Sequence, residues 1–224
     1  MPPLLRIGVF GAGEPAEGTL GRGLRFAGHS VTTCTDPAEA GRMDLVIVDS
    51  DDAAWVRATA AALEPHARRG QMFLHTCLSE GTQLFDDIEL HGSITLAAHE
   101  IHPMCWVTSA TDEVGEATVA MLVAEARGMN MPITDALRPR LGAAARLIQL
   151  AAVAELDGLE LLRGTLPGLG VPLADAFEFA EKGQPAALAE GQREKLRAAV
   201  PDAEVAHLFG QLERRYAQRA ERKN

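Results

Sequence analysis

Up to about residue 130 the chain alternates short strand-like runs with longer helix-like ones, and beyond that it carries helix-period patterns alone. The strand-like runs are Leu4–Phe10, Ser30–Cys34, Met43–Val48, Gln71–Leu74 and Ile94–Ala98. Met43–Val48 is apolar almost throughout, as suits a parallel strand covered on both faces. Helix-like stretches run to Ala27, from about Ala53 to Arg68, and from Asp112 to Arg127 with Gly128 as the stop. This alternation predicts an α/β fold, a doubly wound parallel Rossmann-type sheet followed by a smaller all-helical C-terminal domain. No sixth strand is evident after His102-Pro103.

The helical part opens at Arg138-Pro139, where proline at the first helical position loses nothing by lacking an N–H. It continues to Arg163 and stops at Gly164. Its apolar residues, among them Leu141, Ala144, Leu147, Ile148, Ala151, Leu159 and Leu162, cover most of the circumference. That predicts burial on most sides, with a second subunit as partner. Pro172, Pro185 and Pro201 read as further helix starts. The domain boundary is expected near Met131-Pro132, giving a dinucleotide-binding domain over 1–131 and a helical dimerisation and substrate domain over 132–224. A homodimer through the 139–163 helix follows as the expected assembly.

The first strand runs into Gly11-Ala12-Gly13-Glu14-Pro15-Ala16, then a helix, a second strand and Asp36. That is the order of a dinucleotide-binding βαβ opening. Gly11 permits the tight turn and Gly13 lets the backbone approach a pyrophosphate, which the helix N-terminus attracts. Asp36 is placed to accept from a ribose 2′-hydroxyl, which favours NAD(H). Thr33, Thr35 and Arg42 nearby leave NADP(H) open. Ser50, Asp51 and Thr76, at later strand ends, join these as expected cofactor contacts. The plainer reading of the same glycines is a βα turn that binds no nucleotide.

The net charge of −10 over 224 residues argues against nucleic acid and anionic membranes as partners. No apolar run approaches the ~20 residues that span a bilayer. With no secretory signal before the first strand, and with Cys34, Cys77 and Cys105 unlike a disulfide framework, a reducing cytoplasm is expected.

Candidate chemistry collects between Gln71 and Trp106. In a sheet of the usual order, the first and fourth strands flank the point where strand order reverses. His75, Cys77, His99 and His102 then line the nicotinamide half of a cleft. Histidine suits proton transfer near neutrality. There is no lysine before Lys182 to share that task. Thr76 and Ser79 read either as substrate donors or as caps of a helix beginning near Ser79. Trp106 reads as a pocket wall or as core. His75-x-Cys77 with His99-x-x-His102-x-x-Cys105 also offers ligands of the types zinc takes. The spacings match no established zinc motif, and His99 and His102 point apart in an extended segment.

The pieces "GAG" at Gly11–Gly13, "AGH" at Ala27–His29, "DLVIVDSDD" at Asp44–Asp52, "LHT" at Leu74–Thr76 and "HP" at His102-Pro103 resemble one group of proteins. It is the 6-phosphogluconate-dehydrogenase-like superfamily of Rossmann reductases, and the resemblance spans roughly Leu4 to Gly164. Within it the Rossmann-like/DUF2520 proteins are nearest, with prephenate dehydrogenases and pyrroline-5-carboxylate reductases further off. The "HTSG" usual in the DUF2520 group reads His75-Thr76-Cys77-Leu78 here. The resemblance implies NAD or NADP as cofactor and intertwined dimers on the long helix. By the His-Pro match it also implies that His102 contacts the substrate hydroxyl.

The expectation is an NAD(P)-dependent oxidoreductase moving hydride between nicotinamide and a small polar substrate with a C–OH/C=O or C–N/C=N bond. His102 is singled out for proton transfer, with His75 and Ser79 as further catalytic candidates and no metal assigned. His75, Cys77, His99 and Cys105 read as pocket lining. The alternatives are a dinucleotide-binding regulatory protein without turnover, which the acid at Glu14 and Glu17 favours, and a His/Cys metal protein.

Overall fold

The structure, a computed structural model, describes residues 4–11, 18–166, 168, 174–182 and 187–223. The chain separates into two compact units, Met1–Arg138 and Pro139–Asn224, so the segment from Pro132 to Arg138 belongs with the first.

The first unit holds β1 (Arg6–Gly11), β2 (Ser30–Thr33), β3 (Leu45–Asp49), β4 (Met72–His75), β5 (Ile94–His102), β6 (Cys105–Ala110) and β7 (Met129–Pro132), paired in the order β2-β1-β3-β4-β5-β6-β7. Strands β1 to β5 are mutually parallel. β6 runs antiparallel to β5, and β7 parallel to β6. Helices α1 (Gly18–Phe26) and α4 (Glu113–Glu125) cover one face, and α2 (Ala53–Leu63) and α3 (Asp86–Glu89) the other.

The two faces follow from the period of two along each strand. Ile7, Val9, Leu45, Ile47, Leu74 and Leu96 pack with Leu20 and Leu24 of α1 and Leu122 and Val123 of α4. Phe10, Val46, Val48 and Phe73 pack with Val56, Ala60 and Leu63 of α2 and Ile88 of α3. Each such side chain, fully buried, contributes about 1.5–3 kcal/mol. The doubly wound sheet is therefore present, with an antiparallel turn at its far side.

Four expectations are corrected. First, the strand order reverses between β1 and β3, not between the first and fourth strands. The expected order needs a strand outside β2, but between β2 and β3 the chain forms just a 3-10 segment, Pro37–Arg42, before β3 pairs with β1. Second, a sixth and a seventh strand exist. The β5–β6 hairpin turns at His102–Cys105 with Met104 at φ 61, so it lacks the Asn-Gly or Gly turn residues that announce a hairpin. Third, β5 runs on to His102, and the residues beyond Ala97, the last to pair with β4, pair with β6. Fourth, α2 ends at Leu63 and Glu64–His66 is 3-10, because Pro65 offers no N–H to continue the α-helix.

Helix ends show the local logic. Asp52 caps α2 by accepting from Ala54 N at 2.9 Å and Trp55 N at 3.2 Å. Asp112 caps α4 through Gly115 N at 2.7 Å. α4 closes in a Schellman pair, Gly128 N to Val123 O at 2.8 Å and Arg127 N to Ala124 O at 2.9 Å. The left-handed residue there is Arg127, at φ 62. Gly128 serves a different need, since a Cβ on it would stand 2.6 Å from Trp106 Cδ1. Trp106 itself is core, 4% exposed.

In the second unit α5 (Arg138–Thr165) buries Ala143, Leu150 and Val153 against Leu196 of α7 (Glu190–Ala198) and Phe209 of α8 (Ala203–Lys223). Leu156 and Leu159 pack on Ala180 of α6 (Ala174–Lys182). Arg146 and Glu213 form a buried ion pair. The helix is not buried on most sides within one chain: Ile148 is 70% and Leu161 72% exposed. Its companions cover one stripe. Pro172 and Pro185 lie outside the described residues, whereas Pro201 does precede α8, which Asp202 caps through Val205 N at 2.9 Å. Among the described residues no helix is long and apolar enough to cross a membrane.

Candidate cofactor and proton-transfer site

The carboxyl ends of β1, β3 and β4 line one edge, β5 runs on past them, and the polar residues there form a bonded cluster. Gly11 at the end of β1 stands level with Asp49 at the end of β3, on either side of the order reversal. Such a reversal is where open α/β sheets take ligands.

Thr76 is the centre of the cluster. Its hydroxyl donates to Asp49 Oδ1 at 2.8 Å and accepts from Ser50 N at 3.1 Å. Its backbone N–H continues the sheet to Val48 O at 3.1 Å. Its carbonyl accepts from His99 Nδ1 at 2.6 Å. Asp51 Oδ1 lies 3.3 Å from the same His99 nitrogen, and Ser50 Oγ accepts from Asp52 N at 3.1 Å. Burial raises the Asp49 carboxyl above its ordinary range against the lowering bond from Thr76, with Asp51 raising it further and His99 lowering it.

His75, wholly buried, turns to the α2/α3 face. Its Nε2 bonds Gly81 O at 2.9 Å, its ring meets Phe85 edge-on with centroids 5.3 Å apart, and its Nδ1 has no partner. Burial pushes its pKa down to about 4. A neutral ring locked to a carbonyl inside the core is a structural histidine. Cys77 is buried beside it in chain, with Sγ 3.5 Å from Asp51 O and 3.4 Å from Ser79 Oγ, and burial pushes its thiol up. Ser79 thus bonds a thiol two residues back.

His102 is not in the cluster. It is exposed in the hairpin turn, lining a depression with Pro103, Met104, Cys105, Arg127, Gly128 and Met129. This geometry gives the metal reading no support. Among the described residues no three or more His, Cys, Asp or Glu side chains stand together as a ligand set. His75 faces Gly81, His99 faces Thr76, and His102 and Cys105 pair across the turn.

Of the expected cofactor contacts, Gly11, Ser50, Asp51 and Thr76 come together at this edge. Ala12, Gly13, Glu14, Pro15 and Ala16 lie outside the described residues. Asp36 follows β2 and caps the 3-10 segment, its Oδ1 accepting from Ala38 N at 2.9 Å while Glu39 accepts from Asp36 N at 3.4 Å.

Sequence reasoning missed Arg138 as well as the weight of His99. Arg138 is 1% exposed; its guanidinium bonds Asp135 at 2.8 Å, Leu78 O at 3.5 Å and the Ser109 hydroxyl, holding the turn after β4. Its place just before Pro139 reads as a helix start, and nothing local signals its burial. His99 lies two residues past Ala97, the last residue of β5 to pair with β4, whereas His75 is itself the last residue of β4.

The sheet, its order reversal and the paired helix layers define a Rossmann-type fold. Solved structures with this fold superpose over nearly the whole chain. One is 3-hydroxyisobutyrate dehydrogenase of Mycobacterium tuberculosis with L-serine, at TM-score 0.58 and 14% identity over 98% of this chain and 94% of that one. A second is prephenate dehydrogenase of Aquifex aeolicus in complex with hydroxyphenyl propionate and NAD+, at 0.54 and 14% over 99% and 88%. A third is a pyrroline-5-carboxylate reductase of Coxiella burnetii, at 0.51 and 14% over 98% and 98%. The fold implied by the superfamily resemblance is therefore the fold found. No protein-family model matches the chain and no curated protein matches it in sequence, so the nearer likeness to the DUF2520 proteins is not shown.

Proposed function

We propose that the chain is a nicotinamide-dinucleotide-dependent oxidoreductase acting on a small polar substrate through a C–OH/C=O or C–N/C=N bond. One observation carries the reading: the Thr76-centred cluster stands at the carboxyl edge beside the β1/β3 reversal, in a fold shared with dehydrogenases and reductases that include an NAD+ complex. The donor set fits a dinucleotide. Gly11 ends β1 level with Asp49, the Asp36 carboxylate stands after β2 as the cap of the 3-10 segment, and hydroxyl and carboxylate groups follow at β3 and β4. Bound there, the nicotinamide supplies the hydride chemistry. The chain's own residues orient the substrate and carry its proton.

Asp36 favours NAD(H), because a carboxylate repels a 2′-phosphate. Titrating NADH and NADPH while following nicotinamide fluorescence tests the reading. NADH is expected to bind more tightly than NADPH, and binding of neither would end it. A homodimer is part of the same proposal, supported by the exposed apolar positions Ile148 and Leu161 of α5. Light scattering of the purified chain at twice the monomer mass is the expected result.

A further inference from the structure

We infer that His99 is the proton-transfer group of this reaction, fixed so that its Nε2 offers a lone pair to a substrate hydroxyl or amine. The inference rests on the nicotinamide reading and adds the residue, its tautomer and its direction of use. Thr76 O can only accept, so the 2.6 Å bond places the hydrogen on His99 Nδ1. In the neutral ring Nε2 is then unprotonated. The Nδ1–H form is the one a catalytic base takes when a third group holds its far side.

Asp51 Oδ1 stands 3.3 Å from the same Nδ1, beside the Thr76 carbonyl that this nitrogen faces, so both partners hold the ring by that one atom. Among the described residues Asp49 on β3 and His75 on β4 also interact with His99, with Arg138 and Asp135 acting on His75, and His75 stays uncharged near neutrality. The side chain of His99 is 15% exposed, which suits a group sheltered from bulk water yet open on one side. The other histidines of the sequence's central stretch do not meet these conditions. His75 is sealed in the core, and His102 sits in the hairpin turn away from the cluster.

In the oxidising direction the substrate O–H or N–H bond breaks as an N–H bond forms on His99 Nε2. The carbon's hydrogen would leave with its electron pair as hydride, for which a bound oxidised nicotinamide would be the acceptor, and a C=O or C=N bond would remain. In reduction the imidazolium returns the proton. An alcohol or amine that carries a hydrogen on the same carbon is therefore the substrate class.

Two measurements on the full chain test this. Long-range 1H–15N spectra of histidine-labelled protein, assigned with His99→Gln, should show the Nδ1–H tautomer of His99 in its neutral form. An Nε2–H tautomer would overturn the inference. Carbethoxylation by diethylpyrocarbonate, read by mass spectrometry, should modify His99 and be slowed about 10-fold by NADH at ten times its Kd, with His102 unprotected. If NADH binds by fluorescence and leaves His99 unprotected, or shields His102 instead, the inference falls and the cofactor reading stands. If NADH does not bind, both fall.

Discussion

Thr76 Oγ1 donates to Asp49 Oδ1 across 2.8 Å while accepting from Ser50 N at 3.1 Å, so one hydroxyl ties the end of β4 to the end of β3. Thr76→Val keeps the shape and removes both bonds, leaving a half-buried carboxylate and a backbone N–H without partners. The expected cost is about 1–3 kcal/mol, read from urea unfolding at neutral pH. Thr76→Ser keeps the hydroxyl and should recover most of it.

His75 makes folding pH-dependent in a defined window. Its folded pKa, lowered by burial to about 4, lies below the unfolded value of 6.5. The unfolded chain therefore binds the extra proton first as pH falls. Its contribution is complete above pH ~6.5 and is lost progressively down to pH ~4, a change on the order of 3 kcal/mol. His75→Leu should flatten the fall in the unfolding midpoint across that window relative to wild type. An equal fall in both would show that His75 does not set it.

The turn after α4 separates two uses of glycine. Arg127 holds the left-handed position at φ 62, where a side chain is strained. Arg127→Gly should raise stability by about 1 kcal/mol. Gly128→Ala should lower it by about 1–3 kcal/mol, since the new methyl group meets the Trp106 ring. Thermal midpoints moving in opposite directions are the expected signature.

Asp36 has two roles that a single substitution would confuse. Asp36→Ala removes the cap from Ala38 N and should cost about 1 kcal/mol of stability. Asp36→Asn retains a capping oxygen and loses the charge. Its stability should stay near wild type while the preference for NADH over NADPH narrows in fluorescence titrations. A preference unchanged in Asp36→Asn would take the ribose role away from this residue.

Much of this was legible in the residues. The apolar run Met43–Val48 announced a strand buried on both faces, and Arg138-Pro139 announced a long helix, because each is decided by local pattern. The order of the strands was not legible, since it depends on what the chain does between Thr33 and Leu45, where a capped 3-10 segment replaces a further strand. β6 was hidden because its turn uses Met104 in a conformation glycine normally signals. The edge cluster was half visible. Ser50, Asp51 and Thr76 follow from their places after strands. The weight of His99 over His102 depends on how far β5 runs past its neighbour, which only the pairing with β6 reveals.

The two outer strands of the sheet, β2 and β7, have a further consequence. Each is four residues long, and β7 ends at Pro132, which contributes no N–H. An incoming strand from another chain would find few unpaired backbone groups at either margin. Edge-to-edge stacking into fibres is thereby disfavoured.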